Sequence, residues 1–336
     1  INTLIISVFF CAAWVFVIFL NSTKSIYYKN NSMENIPFEG AGNAAIPLGK
    51  IEIYTWNINH GAMGKNYFNM NNNPSLGAYA RNIDGIIYQL TTLTNVDFIL
   101  LQDIEVNTRR AAMDNQVERF KATFSDYTAL ASVSPQLHTS LVPFFSFHTR
   151  LFPGLLTFSL YKPVESKRYT LPAKSTWLEC SKNKGGFLLA RYNVSNGKQL
   201  IVINIYNAEK YSTKDSLLKS IMKQEFEKGN YVVAGGDWRL SPIEASSIKF
   251  EDGNVTTSDF AALPNDYFPQ GFIQVYDKKH PTYRDVSKAY EKGKTETAIK
   301  DFFVVSPNVK IITTNALDNE FNFSSHQAVG MIIELK

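Results

Sequence analysis

From residue 51 onward, short apolar runs rich in β-branched residues recur, and most of them close on a polar side chain. Ile51-Glu-Ile-Tyr-Thr-Trp-Asn57 alternates with a period of two, which predicts a strand ending among Asn57, Asn59 and His60. Residues 96–102 predict a buried strand that delivers Asp103. Residues 154–161, 186–192 and 200–207 predict three more. Tyr231-Val-Val-Ala-Gly-Gly-Asp237 is a further buried run, closed by two glycines and a lone carboxylate. Strands over 299–305 and 328–334 complete the series. Helical spacing is confined to 77–93, through Ala80, Ile83, Ile86, Ile87 and Leu90, and to 215–228. Strands outnumber helices and polar residues sit at strand ends. That pattern predicts an α/β class with two packed sheets and helices outside, and a site where the strand ends converge on one rim.

Residues 4–20 follow a different pattern, being apolar throughout apart from Ser7. Crossing a bilayer takes about 20 residues, with a lower limit near ~17. The run closes on Phe19-Leu20-Asn21-Ser22-Thr23, which lacks the small residues of a signal cleavage site. The expectation is a single-pass transmembrane anchor over 1–20, touching membrane lipid. A polar tether, or a segment lying across the domain surface, is expected over 21–49, and one domain over 50–336. A lone span ahead of a large domain more commonly exports it, so the soluble part is expected outside the cytoplasm.

Composition changes this picture little. The 336 residues suit one large domain or two small ones, and the net charge of +4 is mild. Nucleic acid is therefore not the expected partner, because such binders concentrate more positive charge. Cys11 lies in the apolar run and Cys180 in the domain, so no disulfide framework is expected. The greasy stretch 141–153, with Phe144, Phe145, Phe147 and Phe152, is read either as a lid or as a contact for lipid or a partner subunit. The glycines before Asp237 are expected to let a substrate or metal approach closely.

Taken in order, the strand ends resemble the motifs of the endonuclease/exonuclease/phosphatase superfamily from about residue 51 to the C-terminus. The matching stretches are Thr-Trp-Asn57, Leu-Gln-Asp103, Asn204-Ile-Tyr206-Asn207, Gly-Asp237-Trp-Arg239, Lys-Asp301-Phe and Ser-Ser325-His326. The resemblance implies a four-layer sandwich of two β-sheets flanked by helices, and Mg²⁺-assisted attack of water on a phosphate ester. It implies that Asn57 and Asp103 hold the metal, with Glu105 as the substitute for the shortened Asp103. It casts Asp237 as the base, Asp301 as the residue that orients His326, and Asn204 and Tyr206 as neighbours of the phosphate.

Four positions depart from the family pattern: Asp103 stands for Glu, Tyr206 for His, Arg239 for Asn and Ser325 for Asp. Arg239 can pair with Asp237, or it can grip a phosphate in place of the metal. His60, three residues beyond Asn57, reads as a surface-loop histidine, with reach into the pocket as the other reading. The expectation is a membrane-anchored relative whose hydrolytic pocket has decayed, retained as a binding or structural subunit of a membrane assembly with protein partners. The alternative is an active Mg²⁺-dependent phosphodiesterase acting on a lipid headgroup or nucleic acid.

Overall fold

The computed structural model describes residues 10–14, 16, 33–40, 42–67, 75–108, 111–133, 154–171, 185–207, 217–242, 244–245, 248–250, 255–256 and 262–335. Strands β1 (Met33–Asn35), β2 (Phe38–Glu39) and β3 (Gly49–Asn57) come first. Helix α1 (Leu76–Thr91) leads to β4 (Phe98–Ile104), and α2 (Gln116–Thr123) to β5 (Thr128–Ser132). Then come β6 (Gly154–Ser159), β7 (Glu165–Thr170), β8 (Gly186–Asn193) and β9 (Gln199–Tyr206). Helix α3 (Leu217–Glu227) precedes β10 (Tyr231–Asp237). Short strands β11 (Val255–Thr256), β12 (Ile273–Val275), β13 (Tyr283–Arg284) and β14 (Glu296–Ala298) lead into β15 (Asp301–Val305), β16 (Lys310–Ala316) and β17 (Val329–Leu335).

Among the described residues these strands form two seven-stranded mixed sheets and one three-stranded sheet. One large sheet has the order β16-β17-β3-β4-β6-β5-β2, and the other β1-β7-β8-β9-β10-β15-β12. Period-two alternation decides which residues lie between them. Along β4, Phe98 and Leu100 join a core shared with Leu200, Val202 and Val233 of the other sheet. Ile99 and Leu101 turn outward to Ile83, Ile86 and Leu90 of α1 and Phe120 of α2. Along β10, Val232 and Ala234 face outward to Leu218 and Met222 of α3. Helices, sheet, sheet and helix therefore stack as an α/β sandwich.

Helix α1 starts where Ser75 Oγ accepts the Ala78 N–H, and it buries Tyr79, Ile83, Ile86 and Leu90 on one face. The stretch ahead of β3 is not a free tether from residue 33 onward. β1 pairs with β7, β2 pairs with β5, and Ile46 is fully buried in the central core, its N–H donating to Asn193 O at 2.8 Å.

The apolar run 4–20 lies almost wholly outside the described residues; 10–14 and 16 are helical and exposed. Among the described residues no helix is long and apolar enough to cross a membrane. The stretch 141–153 lies outside the described residues altogether.

Candidate active site at the sheet rim

β3 and β10 belong to different sheets, yet they end side by side. The Asn57 Nδ2 donates to Asp237 Oδ2 at 2.8 Å, and Asn57 Oδ1 accepts the Asn59 N–H at 2.9 Å. The second Asp237 oxygen accepts the Arg239 N–H at 2.8 Å. Asp237 is fully buried, and both its oxygens are held by N–H donors. Trp238 fixes the turn from beneath: its indole stacks on Phe302 at 5.3 Å, and its Nε1 donates to Phe302 O at 2.9 Å.

The two glycines before Asp237 do a different job from the one expected. A Cβ on Gly235 would lie 2.4 Å from the Phe303 ring, and one on Gly236 would lie 2.0 Å from Ile205 O. Those spaces are filled by the protein's own core and neighbouring strand, not left for a substrate. Gly236 also has φ +151, a conformation that other residues rarely adopt.

His326 sits on the same rim. Its Nδ1 is 2.7 Å from Asp301 Oδ2, and its Nε2 is 3.9 Å from Asp237 Oδ2. The first distance is a hydrogen bond and the second is too long for one. Burial pushes the Asp301 carboxyl upward, while His326 pulls it down. Trp56 Nε1 donates to His326 O at 2.9 Å, and the Tyr283 ring packs edge-on to the imidazole at 5.0 Å. The histidine is thus fixed by backbone, ring and carboxylate. Ser325 turns away, its Oγ accepting from Asn59 Nδ2 at 2.5 Å.

Arg239 is exposed at the mouth, with a left-handed backbone at φ 62. Its guanidinium lies 5.7 Å from the centre of the Tyr206 ring. Among the described residues no carboxylate closes an ion pair with it, so of the two readings of Arg239 the pairing with Asp237 does not form. Its charged form is favoured by Tyr206 first, opposed by loss of water, and favoured again by Asp237, Tyr283 and Asp103.

Asp103 is re-aimed by its backbone. The β4–β6 register slips between Gln102 and Ile104, and Asp103 has φ 57. Its Oδ2 meets His60 Nδ1 at 3.0 Å. His60 is therefore buried and paired, not the surface-loop residue expected. Glu105 joins this pair and accepts a short hydrogen bond from Thr108 Oγ1. Asn204 stands apart from the rim. Its Nδ2 donates to Leu101 O, Leu156 O and Thr157 Oγ1 at 3.1–3.2 Å, and its Oδ1 accepts from Gln102 Nε2 at 2.8 Å. It ties the two sheets together from within.

Lys300 was not singled out in the sequence. Its Nζ lies 3.4 Å from the centre of the Tyr283 ring. Burial pulls its amine down to about 8, with Asp237 pulling the other way and Arg239 adding to the fall.

Among the described residues two groups have donor atoms close enough to hold a cation: His60, Asp103 and Glu105, and Asp237, Asp301 and His326, each within 4.8 Å. Each mixes a histidine with two carboxylates, a set better suited to a transition metal than to Mg²⁺, which prefers oxygen ligands. Asn57, expected on the metal, has both ends of its amide engaged by the protein. The carboxylates of these groups could hold a cation, and the histidines set them apart from an all-oxygen Mg²⁺ site.

No family model matches the sequence, and no curated protein matches it. Solved structures do. An endonuclease/exonuclease/phosphatase family protein from Leptotrichia buccalis aligns with TM-score 0.52 at 13% identity, over 85% of this chain and 100% of that one. A protein of the same description from Bacteroides thetaiotaomicron gives 0.52 at 9%, over 85% and 98%. ANGEL2, described as a 2′,3′-cyclic phosphatase, gives 0.51 at 12%, over 90% and 98%. At such identities it is the architecture that is shared: this chain has the endonuclease/exonuclease/phosphatase fold.

Proposed function

We propose that the rim pocket binds a phosphate ester and hydrolyses it only slowly, as a weakened phosphodiesterase-type site. The observation that carries this reading is the set formed by Asn57, Asp237, His326 and Asp301, joined across two sheets at 2.7–3.9 Å. In this scheme Asp237 takes a proton from the attacking water as its oxygen bonds to phosphorus, the P–O bond to the alcohol breaks, and the leaving oxygen takes a proton from solvent. His326, in its imidazolium form with Nδ1–H directed at Asp301, donates its Nε2–H to a phosphate oxygen. The 3.9 Å between Nε2 and Asp237 leaves an opening in which that oxygen or the water sits. Hydrolysis is slow because Tyr206 stands where the family pattern has a histidine and Ser325 carries no charge. Asp103 is also committed to His60. Losing one acid/base group alone costs about 10²–10⁴ in rate.

The test is turnover of bis-p-nitrophenyl phosphate by the full chain. A rate above the protein-free blank that vanishes in Asp237→Ala is expected. An equal rate in both proteins overturns the hydrolytic assignment.

A binding-only role is favoured by one observation, the engagement of Asn57 and Asp103 by neighbouring protein groups. Saturable binding of p-nitrophenyl phosphate without turnover would select it. The apolar run 4–20 supports a further part of the proposal, attachment to a membrane with the domain exported as a subunit beside protein partners. Recovery of the full chain in the wash-resistant membrane fraction tests the attachment.

A further inference from the structure

We infer that Arg239 and Lys300 form a two-cation clamp for the phosphate group, in place of a divalent metal. This rests on the phosphate-binding reading above and adds to it the source of positive charge. Both residues are fixed to one short stretch of backbone. Arg239 follows Trp238 directly, and the Trp238 N–H donates to Lys300 O at 2.9 Å. The Lys300 N–H donates to Thr282 Oγ1 at 2.9 Å, and the Arg239 N–H donates to Asp237 Oδ1 at 2.8 Å.

Each cation lies on an aromatic ring: Arg239 on Tyr206 at 5.7 Å and Lys300 on Tyr283 at 3.4 Å. A ring face positions a cation without cancelling its charge. The Tyr283 ring also touches His326, at 5.0 Å between centres, so the clamp adjoins the His326–Asp301 pair. A guanidinium and an ammonium together supply two positive charges, equal to one divalent ion. They offset the repulsion that buried Asp237 and Asp301 exert on an incoming phosphate. The guanidinium fork matches two phosphate oxygens, and the ammonium acts as a point charge on a third.

The experiment is calorimetric titration of the full chain with inorganic phosphate, first in excess EDTA and then with Mg²⁺. Binding in EDTA is expected, unchanged by Mg²⁺, and about tenfold to a hundredfold weaker in Arg239→Gln and again in Lys300→Met. Arg239→Lys, which keeps the charge and loses the fork, is expected to fall between. Unchanged thermal unfolding of the variants shows that the loss is local. Binding that requires Mg²⁺ and survives Arg239→Gln overturns the clamp and leaves the phosphate pocket standing. No binding under either condition overturns both.

Discussion

The Asn57 amide bridges two sheets, giving its N–H to Asp237 at 2.8 Å while its carbonyl takes the Asn59 N–H at 2.9 Å. The carboxylate acceptor on one side and the N–H donor on the other fix which end of the amide is which. Removing it strands a buried carboxylate oxygen. Asn57→Ala is expected to lower unfolding free energy by about 1–3 kcal/mol, read by urea denaturation.

The Asp301–His326 contact holds the imidazolium in place. Asp301→Asn is expected to lower kcat for bis-p-nitrophenyl phosphate by about 10²–10⁴ with little change in KM. A purely structural role would instead lower the melting temperature and leave kcat alone. Steady-state kinetics alongside thermal unfolding separates the two.

Gly236 tolerates no side chain. Its Cβ would meet Ile205 O at 2.0 Å, with φ at +151. Gly236→Ala is expected to cost about 3 kcal/mol or more, seen as a lower urea midpoint or as loss of soluble protein. Gly197→Ala is the contrasting control, since nothing lies within 4 Å of a Cβ there and only the strain of φ +82 is added.

Acid sensitivity has a definite source in Glu225. Burial opposes its charged form, but hydrogen bonds from Arg191, Lys228 and Asn230 bring its pKa down to about 2. Ionised Glu225 is thus favoured in the folded chain relative to the unfolded one. Its contribution is complete above the ordinary value of 4.5 and is lost as pH falls toward 2. Unfolding midpoints measured from pH 6 to 2 should fall across that window. Glu225→Gln should flatten the slope and cost roughly 1–3 kcal/mol at pH 7 by weakening the bonds to Arg191.

Asn57, Asp237, Asp301 and His326 were legible in the sequence because each closes or adjoins an apolar run, and buried strands deliver their last polar residue to a rim. Asn204 has a parity that points away from the phosphate. It shares parity with Leu200 and Val202, which face the other sheet, so its side chain had to lie between the sheets. Strands β7 and β16 carry mostly polar side chains and no apolar run, so hydrophobic patterning does not predict them. His60 and Asp103 could not be paired from sequence, since left-handed backbones at φ 44 and 57 turn them toward each other. Lys300 precedes β15, where alternation no longer says which way a side chain points.

The stretch ahead of β3 couples the edges of both sheets, through β1 on β7 and β2 on β5. It acts as a mechanical strap. Trimming the chain to residue 50 would release the strap and bare one edge of each sheet, leaving ladders open to pairing with other molecules.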